Sequence, residues 1–430
     1  MLKIIKSNGE LEVFFSNLAA RGGMELVDVS KKVKGILNDV RKNGDNALLE
    51  YTRKFDQVDF ESCDIEVCQS EIDEAYSRID TELINTIKRA GENIRSFHEK
   101  QKDTSWFDVE KEGIVLGQLI RPFDRVGIYV PGGTAPLIST ILMTAIPARV
   151  AGVKNIIMTT PPGGKKGINP AMLATAKEAG VTKIFRVGGA QAIAAMAFGT
   201  DTIDKVDKIV GPGNIFVAEA KRMVYGYCDI DMVAGPSEIL VIADKSANPA
   251  FIAADLLSQA EHDIYASSIL ITTSNKIAED VREQVALQLE KLDRKDIIKK
   301  SLEEYGAIIL TDDIESAIAL SNRIAPEHLE LCVEYPFDYI GQIKNTGAIF
   351  MGSFSPEPLG DYFAGPNHVL PTGGTARFFS PLCTSDFIKK SSIISYNKRA
   401  LYKVKDDVQR FAEAEELSAH ANAVRIRFEE

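Results

Sequence analysis

VGIYVPGGTAPLISTILMTAIPARVAGV, residues 126–153, reads as one complete strand–turn–helix unit. Val126–Val130 form a short apolar run, the length of a buried strand. Pro131, Gly132 and Gly133 break it. STILMTAIPARVAGV then has the length and composition of a buried helix. The same order recurs in NIIMTTPPG then AMLATAKEAG, in KIFRVGGA then QAIAAMAFGT, and in KIVGPGN then IFVAEAKRMVY. A second set follows: EILVIAD, a helix through LLSQAEH, SSILITT, a long charged helix, AIILTD, a helix through 312–324, and GAIFMG. This βαβα alternation predicts an α/β protein with parallel sheets covered by helices. Right-handed crossovers wind each set into a layer. The number of units predicts two Rossmann-like domains.

The flanks differ. Residues 1–25 read as an N-terminal arm. From about 27 to 101 the chain is charged and helical, with two long amphipathic helices around the extended piece VDFESCDIEV. His98 falls on the second and reads as a surface or boundary residue with no role. Near the C-terminus a helix around VQRFAEAEELSAH ends near Ala421–Asn422, and AVRIRF alternates like a strand with one wet face. A tail added after a closed α/β unit is expected to pack on something else, such as a partner subunit. The expected domains are an arm over 1–25, a first Rossmann-like domain over 26–129 and 238–380, a second over 130–237, and a dimerisation tail over 381–430.

The 430 residues carry a formal net charge of −11, which argues against a nucleic-acid partner. Five cysteines, widely spaced and without C-x-x-C, support neither a disulfide framework nor a cysteine zinc cluster. That usage predicts a cytoplasmic protein. The start, MLKIIKSNGELEVFF, is not a signal peptide, and no apolar run reaches the roughly 18 residues of a membrane span.

Three glycine loops and four other stretches carry residues suited to chemistry. The glycine loops VPGGTAP (130–136), VGGAQA (187–192) and VGPGN (210–214) each follow a strand and open a helix, which aims N–H groups at an anion. None is G-x-G-x-x-G, because Phe216 stands where the third glycine belongs. One such loop is an ordinary βα turn; three at one sheet edge favour a ligand cleft. In LLSQAEHD (256–263), Gln259 and His262 lie three apart, either a cleft-facing pair or a satisfied polar turn. In IAPEHLEL (324–331), Pro326 suits a first helical turn. Glu327 and His328 then project from that helix start, either as a general-base pair or as a dipole-complementing acid beside a half-buried ring. LGDYFAGPNHVLPTGGTARF (359–378) puts Asp361 and His368 in a Gly/Pro-rich segment that is an ordered functional loop or a surface connection. In AEAEELSAHANAV (412–424), His420 sits at a helix end, where the dipole favours a cation, and Glu415 precedes it. Gln259, His262, Asp361 and His420 together offer two imidazoles, a carboxylate and a carbonyl, the donors zinc accepts. Spacing does not show that they converge.

SQAEHD, APEHLEL, GDYFAGPNHVLPTGGTARF, AEAEELSAHANAVRIR, GIYVPGGTAP, VGGAQAIAAMAFGT, VDKIVGPGN and MVAGPSEILVIAD together resemble the histidinol dehydrogenase family, in that family's order and over nearly the whole chain. The resemblance implies oxidation of L-histidinol to L-histidine with two NAD+, through an enzyme-held L-histidinaldehyde. It implies one zinc ion per active site and an intertwined homodimer. By position, the zinc ligands are Gln259, His262, Asp361 and His420, the last from the partner subunit. Glu327 and His328 match the catalytic pair. Ser237, His368 and Glu415 match substrate contacts, as do the zinc ligands and His328. Tyr129, Gln191 and Asn214 match NAD contacts.

On that resemblance zinc anchors the amine and imidazole of the substrate, His328 takes the hydroxyl proton, and Glu327 activates a water. Other readings stay open on the residues alone. A zinc hydrolase would use Glu327 without a redox step. A binding protein would lose no turnover on substitution of Glu327 and His328. A related dehydrogenase would act on another small alcohol.

Overall fold

The computed structural model describes residues 2–21, 26–132, 136–163 and 167–429. Its strands are β1 (Lys3–Ile5), β2 (Trp106–Asp108), β3 (Ile114–Pro122), β4 (Arg125–Tyr129), β5 (Asn155–Thr159), β6 (Lys183–Phe185) and β7 (Lys208–Val210). They continue as β8 (Asp229–Ile230), β9 (Glu238–Ala243), β10 (Ser267–Thr272), β11 (Ala307–Leu310), β12 (His328–Cys332), β13 (Ala348–Met351) and β14 (Ile388–Tyr396). The chain forms two compact units, Met1–Gln101 with Phe123–Phe387, and Lys102–Pro122 with Ile388–Glu430.

The first unit contains both parallel sheets. One has six strands in the order β1-β11-β10-β9-β12-β13, the other five in the order β6-β5-β4-β7-β8. β9 and β10 are buried along their whole length, so they read as continuous apolar runs rather than alternating ones. Helix ends follow local chemistry. Asn169 and Asn248 cap helices Pro170–Ala179 and Pro249–Ala260, each with proline at the first position. The α/β class and the two-sheet plan match the expectation.

Several placements differ from it. The first residues are not a free arm. β1 extends the six-stranded sheet beside β11, and helix Asn8–Ala20 follows with Leu11 in that sheet's core. β4 lies in the five-stranded sheet. The helices between 26 and 101 pack there too: Val33, Val40 and Leu48 share a core with Ile193 and Val217, and Ile87 and Ile94 with Leu142 and Ile146. His98 is 0% exposed. Its Nδ1 meets Gln101 Oε1 at 2.6 Å. It is a satisfied core histidine, because the apolar face of helix Thr81–Glu99 includes it.

The second unit is an antiparallel sheet, β14-β3-β2, with two helices, Lys398–Ala414 and Ser418–Arg425. It starts at Ile388 and includes 102–122, whereas the expected tail began at 381. Val424 and Arg425, expected in a strand, end the last helix. Arg425 pairs with Glu413 at 2.8 Å and donates to Gln409 Oε1 at 3.2 Å, tying that helix to the one before it.

Candidate active site

The catalytic candidates stand at the N-terminal edge of the six-stranded sheet. Helix Ile314–Ile324 ends on Ala325, whose φ of 56° turns the chain before Pro326. Glu327 therefore leads into a strand, and His328 begins β12. The helix start expected at Pro326 is not there, because the helix stops ahead of the proline instead of beginning at it. The adjacent strand holds both side chains. The N–H of Glu238, first residue of β9, donates to Glu327 Oε2 at 2.9 Å. The carbonyl of the same residue lies 2.8 Å from His328 Nδ1. A carbonyl only accepts, so Nδ1 carries the proton and Nε2 keeps its lone pair. Nε2 faces Glu357 Oε1 at 3.7 Å.

Burial sets the titrations. It drives the Glu327 carboxyl well above its usual range, with Glu238, Asp361 and Glu357 adding to the effect against the Glu238 N–H. It pushes the His328 ring down to about 4. Glu357 rises to about 9 through burial and its hydrogen bond to Asp361. Burial would raise Asp361 as well, but the His368 ring, with His328 and His262, brings it below the usual value.

Gln259 lies in the last turn of helix Pro249–Ala260 and is 1% exposed. Its Oε1 has no hydrogen-bond partner among the described residues. His262 follows in the turn after the helix and is exposed, its N–H donating to Gln259 O at 3.2 Å. Asp361 is on the short helix Glu357–Tyr362, whose first N–H donates to Glu330 Oε1 at 2.9 Å. His368 Nδ1 lies 3.3 Å from Asp361 Oδ1 and 3.1 Å from its carbonyl, and Nε2 lies 3.5 Å from Thr140 Oγ1. Ser237 is half-buried just before β9. Glu415 and His420 are exposed residues of the second unit; His420 lies in the first turn of its helix rather than at the end of one.

Among the described residues, His328, Glu357 and Asp361 offer ligand atoms within 4.8 Å of one another. The expected ligand set shares only Asp361 with this group. Even so, the surroundings fit a divalent cation. Gln259 Oε1 is buried and orphaned, and the buried carboxyls of Glu327 and Glu357 lie 3.8 and 3.7 Å from the His328 ring nitrogens. Sequence reasoning missed Glu238, Glu330 and Glu357. The first two carried a signal: each is a glutamate at or inside an apolar strand, in EILVIAD and HLELC.

The NAD candidates gather at the C-terminal edge of the other sheet. Tyr129, buried at the end of β4, accepts the Gly189 N–H on its hydroxyl at 3.1 Å. Burial raises that hydroxyl to about 12. Gln191 is buried in the first turn of helix Gly189–Phe198, which has no side-chain cap. Asn214 Oδ1 accepts the N–H groups of Phe216 and Val217 at 3.0 and 3.2 Å. A Cβ at Gly211, where φ is 109°, would stand 2.3 Å from the Tyr129 carbonyl, so only glycine fits there. Residues 133–135 of the first glycine loop lie outside the described residues. The remaining N–H groups at the start of helix Gly189–Phe198, set among glycine turns, fit an anionic dinucleotide.

Two parallel sheets, glycine turns at one edge and a buried acid–imidazole centre at the other define an α/β enzyme with acid–base machinery. The histidinol dehydrogenase family model matches residues 19–428, and the chain belongs to the histidinol dehydrogenase family. It is 57% identical over 417 residues to histidinol dehydrogenase of Clostridium acetobutylicum, covering 97% of this chain and 96% of that one. It is 55% identical over 429 residues to that of Caldanaerobacter subterraneus subsp. tengcongensis, covering 100% and 99%. The crystal structure of histidinol dehydrogenase from Elizabethkingia anophelis matches with a TM-score of 0.92 and 43% identity, covering 99% of this chain and 98% of that one.

Proposed function

We propose that this chain oxidises L-histidinol to L-histidine through L-histidinaldehyde, the closing reaction of histidine biosynthesis. The balance is histidinol, two NAD+ and water to histidine, two NADH and three protons. Beside family membership, one observation carries the reading: the main chain of Glu238 holds Glu327 and His328 together, one by its N–H and one by its carbonyl.

Gln259, His262 and Asp361 would hold zinc, with His420 supplied by a partner subunit; the ion, when bound, supplies a Lewis-acidic anchor for the substrate amine and imidazole. Tyr129, Gln191 and Asn214 would contact NAD, which, when bound, supplies the hydride acceptor. The remaining work belongs to side chains. His328 is neutral at physiological pH and accepts the hydroxyl proton at Nε2, with the Asp361 carboxylate nearby to stabilise the cation that forms. Glu327, made more basic by burial, takes a proton from the water that hydrates the aldehyde. His368, held between Asp361 and Thr140, and half-buried Ser237 would orient the substrate, with Glu415 completing its contacts. A dry site retains the aldehyde between the two oxidations.

The homodimer has support in the second unit, where Phe411, Ile394 and Ile426 are exposed. No helix among the described residues is long and apolar enough to cross a membrane. The experiment is direct: purified protein with zinc, histidinol and NAD+ forms histidine. Absence of histidine, with or without aldehyde, contradicts the reading.

A further inference from the structure

We propose that Arg21 is a positioning residue for this reaction, pinning from below both the strand start that holds Glu327 and His328 and the turn that carries His262. The inference rests on the function just proposed. Arg21 follows helix Asn8–Ala20, and its side chain is 3% exposed. One arm of the guanidinium pairs with the buried carboxylate of Glu238. The other arm donates to the carbonyl of Tyr265 at 3.2 Å. The Tyr305 ring lies 5.8 Å from the guanidinium carbon.

Those two partners belong to different halves of the site. Glu238 is the residue whose N–H meets Glu327 at 2.9 Å and whose carbonyl meets His328 at 2.8 Å. Tyr265 lies three residues beyond His262, in a turn closed by Asp263, which accepts the Tyr265 N–H at 2.8 Å. One planar fork thus sets the spacing between the catalytic pair and the metal-side turn. Lysine has one point charge and no rigid fork, so it would hold one partner at a time. An apolar pair would fill the same space without the desolvation cost of two buried charges. What the ion pair adds is a fixed depth and rotation for Glu238, and therefore for the two side chains its main chain holds. Misplacement of reacting groups by about 1 Å costs up to roughly 10²-fold in rate.

The test uses the zinc-loaded full chain and two variants, Arg21→Lys and the double variant Arg21→Met with Glu238→Gln. The second leaves no lone buried charge and guards against a simple folding failure. In both, kcat at saturating zinc is expected to fall at least about tenfold, and zinc to bind more weakly, because the turn that carries His262 loses an anchor. The acid limb of the kcat profile is expected to move, because the surroundings of Glu327 change. Nitrogen NMR of labelled histidine reads the Nδ1–H tautomer of His328 without turnover, and its signal is expected to shift or broaden. Wild-type kcat, pH profile and His328 signal in either folded variant would overturn the proposal. So would a loss that follows the folded fraction alone, with kcat per folded site unchanged. Wild-type protein that makes no histidine would count against the function and leave the NMR comparison to judge Arg21.

Discussion

Glu327 and His328 share one main-chain partner, Glu238, yet burial moves their titrations in opposite directions. The sign has a consequence for rate. In its proposed role His328 is a base when neutral, and its ring stays neutral down to about 4, so it should not limit activity near neutrality. Glu327, in its proposed role, is a base only when ionised. With its carboxyl raised by burial, activity should be lost as pH falls through a window higher than an ordinary carboxylate would set. Glu327→Gln should lower kcat by roughly 10²–10³-fold with little change in KM, and remove that acid limb. A pH–rate profile checks this, and an unchanged limb would rule out Glu327 as the titrating base. Gln259→Ala removes the orphaned Oε1 and should weaken zinc by at least roughly tenfold, read by competition with a chelator. Equal zinc affinity would remove Gln259 from the ligand set. At this scale the sequence shows residue types but not convergence. Glu357 reaches His328 only because a short helix docks on Glu330, a contact across 27 positions that no local spacing encodes.

The turn from Gly211 to Asn214 shows how an element is held. Asp231 Oδ2 accepts the Gly211 N–H at 2.8 Å, and Lys221 Nζ donates to the Gly211 carbonyl at 2.9 Å. Lys221 and Asp231 also pair with each other, both buried. Asp231→Asn strips the partner from a buried ammonium, and should cost about 3–5 kcal/mol. It should also weaken NAD binding if Asn214 is a contact. Denaturant midpoints and calorimetry with NAD check the two effects; unchanged stability would mean the pair is not what fixes the turn. Strand–turn–helix units were legible here because parallel strands buried on both faces leave unbroken apolar runs. IAPEHLEL misled because proline after a helix end and proline at a helix start look alike without the left-handed Ala325. AVRIRF misled because so short a segment satisfies both the period of a strand and the turn of a helix.

On the scale of the molecule, the two parallel sheets divide the expected chemistry. Glu327 and His328 stand at the N-terminal edge of one, and the NAD candidates at the C-terminal edge of the other. Segment 364–387 links the layers: Asn367 Nδ2 donates to Met143 O at 2.6 Å, and Val369, Leu382 and Phe387 enter the core of the five-stranded sheet. Glu415 and His420 belong to the second unit, whose Phe411 is 75% exposed. If the proposed homodimer forms through this unit, Phe411→Asp should convert it to monomer in sedimentation equilibrium and abolish most activity, since each proposed zinc site would lose the His420 of the partner subunit. A fully active monomer would contradict shared sites. A four-electron oxidation through one retained intermediate fixes the stoichiometry, so the decisive measurement is NADH formed per histidinol consumed. Two NADH per histidinol, with histidine as product, is the predicted result; one NADH per histidinol, with histidinaldehyde released, would contradict it.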